Sequence, residues 1–266
     1  MNKTSAFFIN VMRSAFSWFL VGAATFVFFF PVLAIFFVLS PFDRSMKQVH
    51  PLISLWARTV FTARPLMHVR LEGTHHLKPG ATYVLVANHQ SLADILAVLH
   101  IQHPFKFIAK KELFWIPFLG WSLSLTGYIP LVRGDLKSGK EALEKASDYL
   151  KQGVSVLFFP EGTRSPDGEI RDFKIGAFKL AVETGVPVVP IVIDGTHGLL
   201  PKGSRLLARR VEVLVKVEAP ERPSGGGEDG LVEQFCGGVR SKMIASLSEI
   251  RSHLRSEENP VALKKI

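Results

Sequence analysis

What most limits how this chain can fold is an uncharged run near its start. Between Arg13 and Asp43 no residue carries a formal charge, and Phe16–Phe30 and Val32–Leu39 are almost wholly apolar. Hiding that much apolar surface from water takes a large core or a bilayer, and about 20 apolar residues are enough to cross one. Pro31 divides the run, and its second half is too short to span alone. A single spanning helix and a bent hairpin entering one leaflet both fit. A cleaved signal peptide fits poorly, because the run is far longer than an h-region and no small-x-small site follows. Downstream, Arg44, Lys47, Arg58 and Arg64 outnumber Asp43, a bias that keeps the remaining chain on the cytoplasmic side.

The 266 residues hold 32 Lys+Arg against 23 Asp+Glu, a formal charge of +9. Such a balance suits nucleic acid, an anionic membrane surface or a phosphorylated substrate. A mean hydropathy of +0.23 together with 21 Phe argues against a soluble nucleic-acid binder and for the membrane. The single cysteine, Cys236, excludes an intrachain disulfide. It stands in Phe-Cys-Gly-Gly near the C-terminus, a poor setting for a nucleophile.

Three parts follow from the patterning: 1–68, 69–220 and 221–266. Residues 46–68 mix apolar and basic positions and read as a helix, lying in the interface with its basic face to headgroups or packed on the next domain. From residue 69, β-rich runs alternate with helical ones. Val69–Glu72, Thr82–Ala87, Phe105–Ala109, Gly127–Val132, Val154–Phe159, Val186–Ile193 and Val211–Val217 read as strands. Ser91–His100, Lys137–Lys151 and Phe173–Glu183 carry helical spacing. The alternation implies an α/β domain with a mixed, largely parallel sheet flanked by helices. Pro130, Pro187 and Pro190 call for edges or bulges within it. Glu221–Gly230 reads as a linker and Leu231–Ser256 as a terminal helix.

Two strand ends carry chemistry. After Thr82–Ala87 comes Asn88-His89-Gln90-Ser91-Leu92-Ala93-Asp94. With His89 outside the helix, the chain can fold back and bring the Asp94 carboxylate to the imidazole. A carboxylate on Nδ1 fixes the tautomer and leaves Nε2 free to take a hydroxyl proton. Ser91-x-x-Asp94 is equally a capping box, in which Asp94 serves only the helix start. After Val154–Phe159 comes Pro160-Glu161-Gly162-Thr163-Arg164. Gly162 admits a close ligand, Thr163 offers a hydroxyl, and Arg164 a bidentate fork for phosphate.

His-x4-Asp followed by Phe-Pro-Glu-Gly-Thr-Arg resembles the 1-acyl-sn-glycerol-3-phosphate acyltransferase family, within the glycerolipid acyltransferases. Gly127-Tyr-Ile-Pro-Leu-Val-Arg133 and Val186-Pro-Val-Val-Pro-Ile-Val-Ile193 are similar to two further family motifs, in the expected order. Lys110-Lys111-Glu112-Leu113 and Phe173-Lys174-Ile-Gly176-Ala177 also match. The resemblance implies a glycerol-3-phosphate acyltransferase-like fold, with His89 as base and Asp94 orienting it. Arg164, with Glu161, Gly162 and Thr163, would bind the acceptor's phosphate. Lys110 would lie beside the phosphate or the oxyanion, and Arg133 would add charge at the acceptor end. Val186–Ile193 would wall the acyl chain, although a plain core strand fits its composition as well. The implied reaction needs no metal or cofactor: an acyl group passes from acyl-CoA or acyl carrier protein to the sn-2 hydroxyl of lysophosphatidic acid. No Gly-x-Ser-x-Gly elbow occurs, which suits direct attack on a thioester. The implied setting is the inner membrane of a bacterium, with membrane lipids as partners and the catalytic domain cytoplasmic. Another lysolipid acceptor, a non-catalytic lipid carrier and a lipid hydrolase remain alternatives.

Other motifs fail on context. Gly225–Gly230 matches G-x-G-x-x-G but follows prolines rather than a strand. Gly134–Lys140 nearly spells a P-loop, yet Glu141 stands where Mg²⁺ binding wants Ser or Thr. His75, His76, His100 and His103 lack zinc-ligand company.

Overall fold

Among the described residues, β-branched and aromatic runs build a seven-stranded sheet. Its strands are β1 (Met67–Glu72), β2 (Val84–Ala87), β3 (Phe105–Lys110), β4 (Ile129–Leu131), β5 (Ser155–Phe158), β6 (Val188–Asp194) and β7 (Val211–Val217). The spatial order is β1-β7-β6-β2-β5-β3-β4, every pair parallel except β6 with β7. The helices are α1 (Lys3–Leu39), α2 (His50–Thr62), α3 (Ala93–Val98), α4 (Leu119–Leu125), α5 (Leu136–Lys151), α6 (Gly176–Thr184), α7 (Thr196–Leu199) and α8 (Leu231–Glu258). This computed structural model describes residues 3–43, 45–62, 67–200, 206–207, 211–223 and 230–258. Arg44, Arg64 and the Gly-rich centre of the expected linker lie outside them.

Central strands are buried on both faces, which is why β2, β5 and β6 read as unbroken apolar runs. Alternate residues of one strand serve opposite layers. Leu85, Leu157, Val189 and Ile191 join Ala57 and Phe61 of α2, Ala97 of α3 and Leu123 of α4 in one cluster. Val84, Val156, Val188 and Val192 join Ala146 of α5, Phe178 of α6 and Val239 and Met243 of α8 in the other. Of the two readings of residues 46–68, α2 adopts the packed one, and Arg58 turns inward to the carbonyl of His100. Two of the three prolines behave as expected, while Pro187 stands just ahead of β6. Pro130 sits on the edge strand β4, and Pro190 faces a break in pairing between the Ile191–Val217 pair and the Val188–Glu221 bridge.

Pro31 does not divide the apolar run, and no hairpin forms. α1 is one helix of 37 residues that continues through the proline. Packing on both sides explains the continuity. Before it, Phe26 and Phe29 meet the rings of Phe118 and Trp121. After it, Val32, Ile35 and Leu39 pack on Met46 and Val49. The one hydrogen bond lost to proline is outweighed by this contact. Against it Phe118 takes a positive φ of 62°, with the Leu119 N–H on the Pro117 carbonyl at 2.7 Å, a strained γ-turn held by aromatic packing. The opposite face of α1 leaves Phe16, Phe19, Val27 and Phe37 exposed, and by length and composition the helix could cross a membrane.

Parallel strands put their carboxyl ends on one edge, and the β2, β3, β5 and β6 ends converge there. Inside the core lies one lysine. Lys106 on β3 is 3% exposed, and its Nζ donates to the Thr126 carbonyl at 2.6 Å above the rings of Tyr128 and Tyr149. Burial pulls its pKa down to about 7. Unfolding therefore returns a proton to it between about pH 7 and its ordinary range, and wild-type stability rises across that window as the burial cost fades. Lys106→Met should stabilise the fold more at pH 6 than at pH 10, as read from urea unfolding midpoints.

Candidate active site

Asn88 determines where β2 stops and the site begins. Its side chain donates to the Ile193 carbonyl at 2.9 Å and accepts the Ile193 N–H at 2.7 Å, adding a side-chain rung to the β2–β6 ladder. The next residue, His89, turns out of the sheet. Its N–H donates to Glu161 Oε1 at 2.8 Å, and its carbonyl accepts the Ser165 N–H at 2.7 Å. Both backbone groups of His89 are thus tied to the turn after β5.

The imidazole is held on two sides. Nδ1 lies 2.7 Å from Asp94 Oδ2, and the ring leans on Phe159 with centroids 4.3 Å apart. The same Oδ2 accepts the N–H groups of Gln90 and Ser91, at 2.7 and 2.8 Å. Helix-start capping and histidine orientation therefore coincide in Asp94. Since a carboxylate only accepts, Nδ1 carries the hydrogen and Nε2 keeps its lone pair. Asp94 is 0% exposed and His89 7%.

His89 borders a cavity of about 1020 Å³. Apolar side chains of four helices line it, with Phe28 of α1, Trp56 of α2, Leu96 of α3 and Leu123 of α4. Lys110, Arg133, Lys140, Arg164 and Lys174 line it too, with Asp135 the one acid among the described lining residues. Gly162 has a φ of +71°, and a Cβ there would come within 3.1 Å of Lys174 Cε and Nζ. Only glycine leaves the lysine its place over the turn.

The chain is similar to known proteins in sequence and in fold. An acyltransferase family model matches residues 68–194. A 1-acyl-sn-glycerol-3-phosphate acyltransferase of Chlamydomonas reinhardtii is 36% identical over 252 residues, covering 92% of this chain and 74% of its own. The chloroplastic LPAT1 of Arabidopsis thaliana is 38% identical over 227 residues, 85% of this chain and 61% of its own. The crystal structure of the 1-acyl-sn-glycerophosphate acyltransferase PlsC from Thermotoga maritima superposes with a TM-score of 0.78 at 32% identity, covering 92% of this chain and 97% of that one. The chain belongs to the 1-acyl-sn-glycerol-3-phosphate acyltransferase family.

Within this acyltransferase, the residues singled out in the sequence divide into two groups. His89, Lys110, Arg133, Gly162 and Arg164 border one cavity, with Asp94 directly behind the imidazole. Lys110 also pairs with Glu112 at 2.9 Å. Glu161 and Thr163 are not on the wall. Thr163 is exposed at the turn. Glu161 is buried and spends one oxygen on the His89 N–H and the other on the Arg171 N–H at 3.3 Å. Burial pushes its carboxyl above the usual range. It joins two loops rather than facing a ligand. Val188–Ile193 is wholly buried and absent from the cavity lining, so that strand is core, and apolar lining comes instead from α1, α2, α3 and α4. Phe159, Lys174 and Thr196 were missed as site groups. Phe159 and Lys174 were visible within their matching blocks, whereas Thr196 is brought to Asp94 only by folding.

Glu161→Gln keeps one carbonyl acceptor and sets an amide N–H₂ against the second backbone N–H. A mismatched buried group costs about 1–3 kcal/mol. The variant should lose that much in urea unfolding, and its kcat/KM should fall with it as the His89 turn loosens.

Proposed function

We propose that this protein transfers an acyl group from a thioester, acyl-CoA or acyl-carrier protein, to the sn-2 hydroxyl of 1-acyl-glycerol 3-phosphate, yielding phosphatidic acid. The observation that carries the reading is a buried imidazole, oriented by Asp94, on a cavity lined both by five cations and by apolar side chains of four helices. The names of the relatives in Chlamydomonas and Arabidopsis point to the same acceptor.

His89 Nε2 takes the proton of the acceptor hydroxyl as its oxygen attacks the thioester carbonyl. Asp94 stabilises the imidazolium so formed. When the tetrahedral intermediate collapses, the C–S bond breaks and the thiolate leaves with the proton from His89. Arg164 holds the acceptor's phosphate together with Lys174, whose ammonium lies over Gly162. Lys110 and Arg133 extend the positive field along the rim, and the apolar wall receives acyl chain. The bare face of α1 anchors the protein in the bilayer where acceptor and product reside.

Purified protein in detergent, given acyl-CoA and lysophosphatidic acid, should release thiol only when the acceptor is present. Release without acceptor would make the protein a thioesterase, and no release with either donor would leave it a carrier. His89→Ala should lower kcat by about 10²–10⁴-fold with the fold intact by circular dichroism. Arg164→Ala should raise the acceptor KM about 10-fold or more while sparing the donor KM, since a charge-assisted contact to phosphate is lost.

A further inference from the structure

Asp94 has two oxygens, and they are served very differently. Oδ2 accepts from His89 Nδ1 and from the N–H groups of Gln90 and Ser91. Oδ1 accepts the hydroxyl of Thr196. That hydroxyl is the one donor to Oδ1 among the described residues, in a carboxylate that is 0% exposed beside a threonine that is also 0% exposed. The hydroxyl has one hydrogen and two possible acceptors. Gln90 Oε1 lies 3.5 Å away, and the closer, charged carboxylate wins it.

The chain is built to bring this threonine in from more than a hundred residues away. β6 ends at Asp194, and Gly195 follows with a φ of +89°. A Cβ at Gly195 would meet the Glu212 carbonyl oxygen at 2.1 Å, so the turn runs flush against β7 and delivers Thr196 behind α3. The Arg251 guanidinium of α8 holds the same corner. It bonds Asp194 Oδ1 at 3.2 Å and the Gly168 carbonyl at 2.9 Å, which Gln90 Nε2 also contacts at 3.0 Å.

We propose that Thr196 is a positioning residue of the reaction, the donor that occupies Asp94 Oδ1 and keeps Oδ2 aimed at His89. The inference rests on His89 being the base. A donor to the anionic carboxylate lowers the proton affinity of the Asp94–His89 pair, and removing it raises that affinity. At a given acidic pH less of the enzyme then carries a neutral imidazole.

Four variants test it. Thr196→Val keeps the shape and removes the donor. Thr196→Ser keeps the donor and removes the methyl. The donor role requires Val to lose about 10-fold or more in kcat with the acceptor KM nearly unchanged, and the acid limb of its pH–kcat/KM profile to move to higher pH; Ser stays close to wild type. A packing role gives the reverse, with Val active and Ser impaired, and overturns the inference. Should Val not fold, Thr196→Ala against Thr196→Ser repeats the comparison, both lacking the methyl and only Ser keeping the hydroxyl; equal activities and identical acid limbs would reject the donor role. His89→Ala keeps the two readings apart. If it stays active the base assignment fails, whereas an inactive His89→Ala beside an unaltered Thr196→Val removes only the role of Thr196.

Discussion

A carboxylate buried without contact to water must find its hydrogen bonds inside the protein, and Asp94 is such a group. Two of its donors are the N–H groups that open α3, one is the imidazole, and one is the hydroxyl of Thr196. Satisfying one charge therefore fixes a helix start, a ring orientation and the end of a distant strand together. The remaining groups of the site are placed relative to this point. Glu161 repeats the device, joining the His89 turn to the loop that ends at Arg171.

The cavity owes its two characters to different parts of the fold. Of its cations, Lys110 ends β3; Arg133, Arg164 and Lys174 lie in the segments after β4 and β5, where parallel packing gathers chain ends on one edge; and Lys140 stands on α5. Its apolar wall comes from helices that lie beside the sheet, α1 among them. α1 thus has two surfaces. One packs on α2 and α4 and lines the cavity, while the other leaves large apolar side chains bare. A helix divided this way couples the cavity wall to whatever covers its outer face.

The C-terminal helix also reaches the site, although nothing in its composition suggests it. Arg240 bonds the carbonyls of Ile170 and Arg171, and Arg251 joins Glu169, Gly168 and Asp194. These contacts hold the loop after Arg164 against the sheet. Arginine suits the task, since its planar fork meets several acceptors at once.

Strand and helix periods were legible because each depends on residues near in sequence: the expected strands all recur, Val211–Val217 with the same ends and the others with one or both ends shifted by one to two residues. The His89–Asp94 pair was legible for the same reason, being five residues apart. Other features were not. Pro31 looked like a break, and packing against Phe118 and Trp121 overrode it. The helix α4 was not among the expected elements; it packs on α1, about eighty residues upstream. Glu161 looked like a ligand group, and burial beside two backbone N–H groups made it a crosslink. By itself, then, the sequence determined the α/β class, the apolar helix, the motif order and the catalytic chemistry on offer. Tertiary structure alone decided which walls enclose the cavity, that Thr196 meets Asp94 and that Arg251 joins Asp194 to Gly168. Those contacts join residues tens to hundreds of positions apart, and no local preference encodes a partner that only closure of the sheet brings near.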